Sequence, residues 1–334
     1  WGATGCALYW ACAALTAAAS AYRYRSATGS ICTAFEEVEV PRAAFLEISA
    51  NPPQQPPPTY LYAYFYYFFS SVRGRTSEER VRITRHRRPG CASAFDLWLR
   101  DGAAAARRPV FVFVHGGGWR GGEARAHAQA PLLQALAMRG WFVVSLEYRK
   151  SHWPQHLDDC WQTLRWVCSE EAAAQGADKG RLFLAGTSAG GHIASLLTLR
   201  LLREQPCLAR ISGLVLFYPA LDPGDCTRAT ATFPLSLPCL KIWCGRSLMA
   251  WFFEMFVLRG DSSLWHSAQL LYQLHSDRAS ACSWPPTLIV HGEKDSVVPL
   301  AHCRHLLALL AAAEGGAPES PEVGSCRAKD TLIV

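Results

Sequence analysis

The stretch Arg181-Leu-Phe-Leu-Ala-Gly-Thr-Ser-Ala-Gly-Gly-His-Ile-Ala194 decides how the rest of the chain is read. Its first residues form a short apolar run of strand character, its last are those of a helix start, and Ser188 stands between Gly186 and Gly190 at the junction. A serine so flanked is the sequence form of a sharp strand-to-helix turn. In such a turn, side chains two positions before and after the serine would collide, so glycine is required there. The serine itself is held in a strained conformation with its Oγ exposed. Ser188 is therefore the candidate nucleophile.

Outward from this turn, apolar strand-like runs at 80–84, 95–99, 110–114, 141–146, 181–185, 214–217 and 287–290 alternate with helical patterns at 124–138, 154–174, 191–203 and 299–313. That alternation predicts an α/β architecture, a mostly parallel sheet with helices on both faces. About seventy residues between the runs at 214–217 and 287–290 break it. They place a helical cap insertion at about 221–284 over the carboxyl ends of the strands, where open α/β sheets hold ligands. The apolar segment 247–258 within it is read either as that cap or as a helix that completes the core.

A second glycine run, His115-Gly-Gly-Gly-Trp119, directly follows the strand-like run 110–114. A serine that attacks a carbonyl creates an oxyanion, and backbone N–H groups without a Cβ nearby can approach it closely. The amides of Gly117 and Gly118, together with that of Ala189 after the nucleophile, are the expected donors, each worth a factor of roughly 10² to 10³ in rate. His115 then orients the loop. A phosphate-binding loop is excluded, because neither glycine run has the Lys-Ser/Thr ending or the G-x-G-x-x-G spacing. Further on, the strand-like run ending at Val290 leads to Gly292-Glu-Lys-Asp295, and Asp295 sits where a triad acid belongs in the chain order serine, acid, histidine, with Glu293 as its nearby competitor.

Taken in order, His115-Gly-Gly-Gly-Trp119, Glu147-Tyr-Arg149, Leu157-Asp-Asp159, Gly176-Ala-Asp-Lys-Gly-Arg181, Gly186-Thr-Ser-Ala-Gly-Gly191 and His291-Gly-Glu-Lys-Asp295 resemble the hormone-sensitive-lipase-like carboxylesterases of the α/β-hydrolase fold. The resemblance covers about residues 92–334. It implies ester hydrolysis through an acyl-enzyme, a triad of elbow serine, strand-end aspartate and later histidine, and supporting roles near the site for Tyr148, Arg149 and Asp159. The triad histidine is expected just after a last strand at 330–334, beyond Val334. His302 and His305 fall within the helical pattern 299–313, and His192 is read as a capping or packing residue. The chain is thus expected to be a partial sequence with little activity of its own.

Composition bounds the remaining readings. With 334 residues, 50% hydrophobic and 18% charged, the chain can bury a large core. A formal charge of +6 is too small and too scattered for a nucleic-acid binder. Thirteen cysteines without a C-x-x-C pair read as small buried hydrophobes rather than a disulfide framework or zinc site. Residues 1–90 form a separate region: an uncharged, alanine-rich stretch 1–22, a proline-rich spacer 51–58, the aromatic block 60–69, and arginines 73, 75, 80, 82, 85, 87 and 88. Aromatics beside a basic cluster are read as an interfacial membrane anchor, which would leave residues 91–334 a cytoplasmic catalytic domain; the alternative is an aromatic segment packed on that domain with a solvated arginine face. The expected activity is that of a serine carboxylic-ester hydrolase with no metal or organic cofactor and a small-molecule ester as substrate. Trp251, Phe252, Phe253 and Phe256 hint at an apolar acyl group. A catalytically silent receptor module, and an acyltransferase or peptidase using the same serine, are the alternatives.

Overall fold

Successive side chains of a strand face opposite sides of its sheet, so a strand that is apolar at every position must be covered on both. Arg108–Val114 (β3) shows this most clearly: Val110, Val112 and Val114 enter one apolar cluster, Phe111 and Phe113 the other. Phe142–Leu146 (β4), Ala177–Thr187 (β5) and Ile211–Phe217 (β6) divide in the same way, with Leu182 and Leu184 on one face of β5 and Phe183 and Ala185 on the other. The structure, a computed structural model, describes residues 81–87, 93–102, 107–125, 129–224, 250, 252–293, 295, 297–313, 327–328 and 331–333.

Together with Val81–Arg87 (β1), Ala94–Arg100 (β2), Thr287–Val290 (β7), Arg327–Ala328 (β8) and Thr331–Ile333 (β9), these strands form one sheet in the order β1-β2-β4-β3-β5-β6-β7-β9-β8. Every pairing from β4 to β9 is parallel, while β1, β2 and β8 join their neighbours antiparallel. Ala130–Met138 (α1) covers one face through Leu132, Leu133 and Leu136. Gln155–Val167 (α2) and the helix that follows the Ser188 turn, Ala189–Glu204 (α4), cover the other through Leu164, Trp166, Ile193 and Leu197. The expected α/β sandwich is therefore present.

Three local expectations are corrected. The helix expected over 124–138 begins at 130, because Ala124 is held in a turn: its N–H donates to Glu147 Oε2 (3.0 Å) and its carbonyl accepts from Ser145 Oγ (2.6 Å). The helix expected over 154–174 is two, since Ser169 stops the first and caps the short helix Glu170–Ala174 (α3) by accepting from the Ala172 N–H. The strand expected at 80–84 is present as β1 and lies on the N-terminal side of the domain boundary expected at 91. Arg85 of the basic cluster is ion-paired to the buried Asp96 and to Glu147 instead of lying in a free cationic face. Among the described residues no helix is long and apolar enough to cross a membrane. The segments 1–22, 51–58 and 60–69 lie outside the described residues.

In the expected insertion, the described part carries a π-helical turn at Phe253–Val257, a 3-10 turn at Ser262–Leu264, and the short helices Trp265–Ala268 (α5), Leu270–Ser276 (α6) and Arg278–Cys282 (α7). Phe253, Val257, Leu270 and Leu274 join the main apolar cluster. The core-completing reading therefore holds for Phe253, while Met255 and Phe256 on the same turn are exposed. Ala301–Ala313 (α8) follows β7 and packs Leu306, Leu307 and Leu310 into that cluster.

Candidate active site

Three close contacts, each made possible by a missing Cβ, build the turn at Ser188. A Cβ on Gly186 would overlap the backbone of Gly190; one on Gly190 would overlap the carbonyls of Val114 and His115; one on Gly191 would lie 2.7 Å from Pro219 Cβ. The strand end, the helix start and the second glycine loop are thus in direct contact. Ser188 takes up the compressed turn with φ 52° and ψ −119°, a conformation that costs a non-glycine residue of order 1–3 kcal/mol. Its N–H donates to Phe217 O (3.0 Å), and its carbonyl accepts from His192 N–H (3.1 Å) and Ala220 N–H (3.2 Å). The side chain makes no capping bond, so the half-buried Oγ is left at the positive end of α4.

The loop after β3 is equally a backbone construction. Gly117 and Gly118 adopt φ values of 122° and 58°, and a Cβ on Gly117 would run into the Gly121 backbone, whose N–H donates to Gly117 O (2.8 Å). Among the described residues, the amides of Gly117, Gly118 and Ala189 donate to no backbone carbonyl outside the regular elements. Pairing of β3 with β5 sets Val114 beside Gly186, so the loop and the turn leave adjacent strands at the same edge.

Beneath the loop lies a buried polar cluster. His115 is 1% exposed and stacks on Tyr148 at 4.3 Å between ring centroids. Its Nε2 lies 3.0 Å from Lys150 Nζ, which can only donate, so Nδ1 carries the proton and donates to Gly116 O (2.7 Å). Burial pushes the His115 pKa down. Glu147 lies 3.3 Å from His115 Nε2 and is ion-paired with Lys150; burial raises its pKa and the ammonium of Lys150 lowers it. Tyr148 OH donates to His115 O (3.1 Å), and Arg149 closes the next turn through its N–H (2.9 Å) and guanidinium (2.9 Å) on Asp159. Of the residues expected as supports, Tyr148 thus bonds the start of the glycine loop, while Arg149 and Asp159 pair with each other.

Asp295 lies on the loop after β7. Thr187, Phe217 and Val290 are level across β5, β6 and β7, so this loop and the Ser188 turn open at one edge of the sheet. Asp295 Oδ1 accepts from the N–H groups of Val297 (2.8 Å) and Val298 (2.9 Å). His291 Nε2 lies 2.8 Å from Val298 O and 3.7 Å from Asp295 Oδ2, and its Nδ1 lies 3.2 Å from Cys303 Sγ. Burial pushes the Cys303 thiol up to about 12, which removes it as a nucleophile. The competing carboxylate, Glu293, is exposed. His302 and His305 both lie within α8, as expected, the first buried and the second exposed.

One residue's part in the site has no signal in the sequence. His192 is fully buried between Trp119 of the glycine loop and Ala268 of α5. Trp119 in turn packs edge-on against Phe253 at 4.7 Å. Spacing along the chain gives no hint of these contacts, because Trp119, His192 and Phe253 come from three distant segments.

Comparison with known proteins agrees with this geometry. The family model described as alpha/beta hydrolase fold matches residues 111–314, more than half of the chain. Esterase LipQ of Mycobacterium tuberculosis is 31% identical over 234 residues, covering 66% of this chain and 50% of that protein. The probable carboxylic ester hydrolase LipM of the same organism is 32% identical over 226 residues, covering 64% and 48%. The matched region thus spans about half the length of these curated relatives. Among solved structures, a fungal esterase from Rhizomucor miehei aligns with a TM-score of 0.59 over 87% of this chain and 84% of that one at 21% identity, a likeness of fold. The chain belongs to the alpha/beta hydrolase fold family.

Proposed function

We propose that the protein carrying this chain hydrolyses carboxylic esters through an acyl-enzyme on Ser188. The observation that carries this reading is the contact of Gly190 with the Val114 and His115 carbonyls, which sets the strained Ser188 and the glycine loop side by side. Ser188 Oγ adds to the ester carbonyl as a histidine takes its proton, with Asp295 orienting and stabilising the imidazolium. The N–H groups of Gly117, Gly118 and Ala189 hold the negative charge on the carbonyl oxygen, and the positive end of α4 favours it. The alcohol leaves with the proton; water then adds to the acyl-enzyme by the same route and releases the acid. The names of the mycobacterial relatives, an esterase and a probable carboxylic ester hydrolase, support this class of substrate. The exposed Met255 and Phe256, beside the partly buried Phe252, suit an apolar acyl chain.

A fluorophosphonate probe applied to the complete protein tests the reading. Ser188 becomes labelled, and Ser188→Ala abolishes both labelling and hydrolysis of a p-nitrophenyl ester, with a loss of at least about 10⁴-fold. Labelling that persists in Ser188→Ala, or a wild-type protein that neither labels nor hydrolyses, overturns it.

A further inference from the structure

We infer that His192 is a positioning residue for the oxyanion loop, coupling the placement of the Gly118 N–H to the seating of α5. The inference rests on the role proposed above for that N–H. Trp119 directly follows Gly118, and the two share the left-handed region with φ values of 60° and 58°. A tryptophan stays in that conformation only where its surroundings over-determine it. Here the indole is 2% exposed, sits against Phe253, and donates its Nε1–H to His192 Nδ1 at 3.1 Å.

An indole has no acceptor, so Nδ1 must accept and the imidazole proton is on Nε2, which donates to Ala268 O at 2.6 Å. His192 also lies in the first turn of α4, its own N–H bonded to Ser188 O (3.1 Å). One neutral ring therefore touches the nucleophile's helix, the oxyanion loop and the insertion, using each nitrogen in a fixed direction. Burial holds its pKa down at about 4, so this tautomer persists through neutral pH. A residue that merely filled the space would need neither nitrogen.

Four variants of the complete protein separate positioning from packing: His192→Leu removes both bonds, and Trp119→Phe removes the donor while keeping a ring. His192→Asn places an amide oxygen where Nδ1 was but does not reach Ala268, and the fourth is the Trp119→Phe/His192→Leu double. Turnover of a p-nitrophenyl ester is measured per site titrated with fluorophosphonate. The expected result is a kcat lowered about 10- to 100-fold at unchanged KM in His192→Leu and in Trp119→Phe. The double variant is no worse than the worse single one, since one bond is lost in both, and His192→Asn recovers most of the rate. Unchanged kcat per titrated site, or losses that multiply, overturns the inference while leaving the Ser188 reading intact. A wild-type protein that does not label fails both. Should His192→Leu not fold by circular dichroism, Trp119→Phe and His192→Asn decide: a loss in the first with a near-normal rate in the second upholds the inference, and equal rates in the two overturn it.

Discussion

The loops after β5 and β7 open at the same edge of the sheet, yet they are held by different means. Around Ser188 the chain is fixed by what is missing: Gly186 and Gly190 let backbone meet backbone, Gly191 leaves room for Pro219, and the serine side chain makes no capping bond. Around Asp295 it is fixed by side chains. The carboxylate gathers two N–H groups of its own loop, and His291, braced on Cys303, fastens Val298 O. The contrast suits the roles proposed for the two residues: sterics would display a nucleophile without tying it up, and hydrogen bonds would give an acid's carboxylate a fixed direction.

The sharpest way to test the contrast is Asp295→Asn, which keeps the acceptor for Val297 and Val298 but removes the charge. Ester turnover is expected to fall by up to about 10⁴-fold while the melting temperature stays close to wild type. A large drop in melting temperature with normal turnover would make Asp295 a loop-builder alone. Gly190→Ala addresses the other loop. Its new methyl meets the Val114 and His115 carbonyls, so a stability loss of about 3–5 kcal/mol in urea titration is expected, with activity lost as well. The smallest expected effect concerns pH. Burial holds the His156 pKa at about 4, below its ordinary 6.5, so the folded state binds fewer protons than the unfolded one. Its contribution to stability is complete above about pH 6.5 and declines as the pH falls towards 4, by about 2–3 kcal/mol. His156→Phe should flatten the urea midpoint over that window by the same amount, and an unaltered slope would contradict the assignment.

The turn at Ser188 and the glycine loop were legible in the chain because they are built from backbone. Gly186-Thr-Ser-Ala-Gly190 and His115-Gly-Gly-Gly-Trp119 each follow an apolar strand, and the glycines occur where the structure has no room for a Cβ or needs a positive φ. The strands from β3 to β7 were readable because burial on both faces makes them continuous apolar runs. Helix starts were not. Ala124 and Ser169 depend on a carboxylate from another strand and on a hydroxyl cap, and neither alters the apolar pattern. The segment around Phe253 was ambiguous for a related reason: a turn that closes the core and one that caps a site have the same apolar composition.

The sequence by itself therefore determined the sheet, the turn at Ser188 and the glycine loop, since local sterics and two-residue periodicity are written into consecutive positions. Only the tertiary structure decided that Arg85 pairs with Asp96 and Glu147, that His115 is enclosed by Lys150 and Tyr148, and that His192 bridges Trp119 to Ala268. Those partners are brought together by packing from segments far apart in the chain, and a hydrogen bond between distant segments leaves no period or spacing behind it.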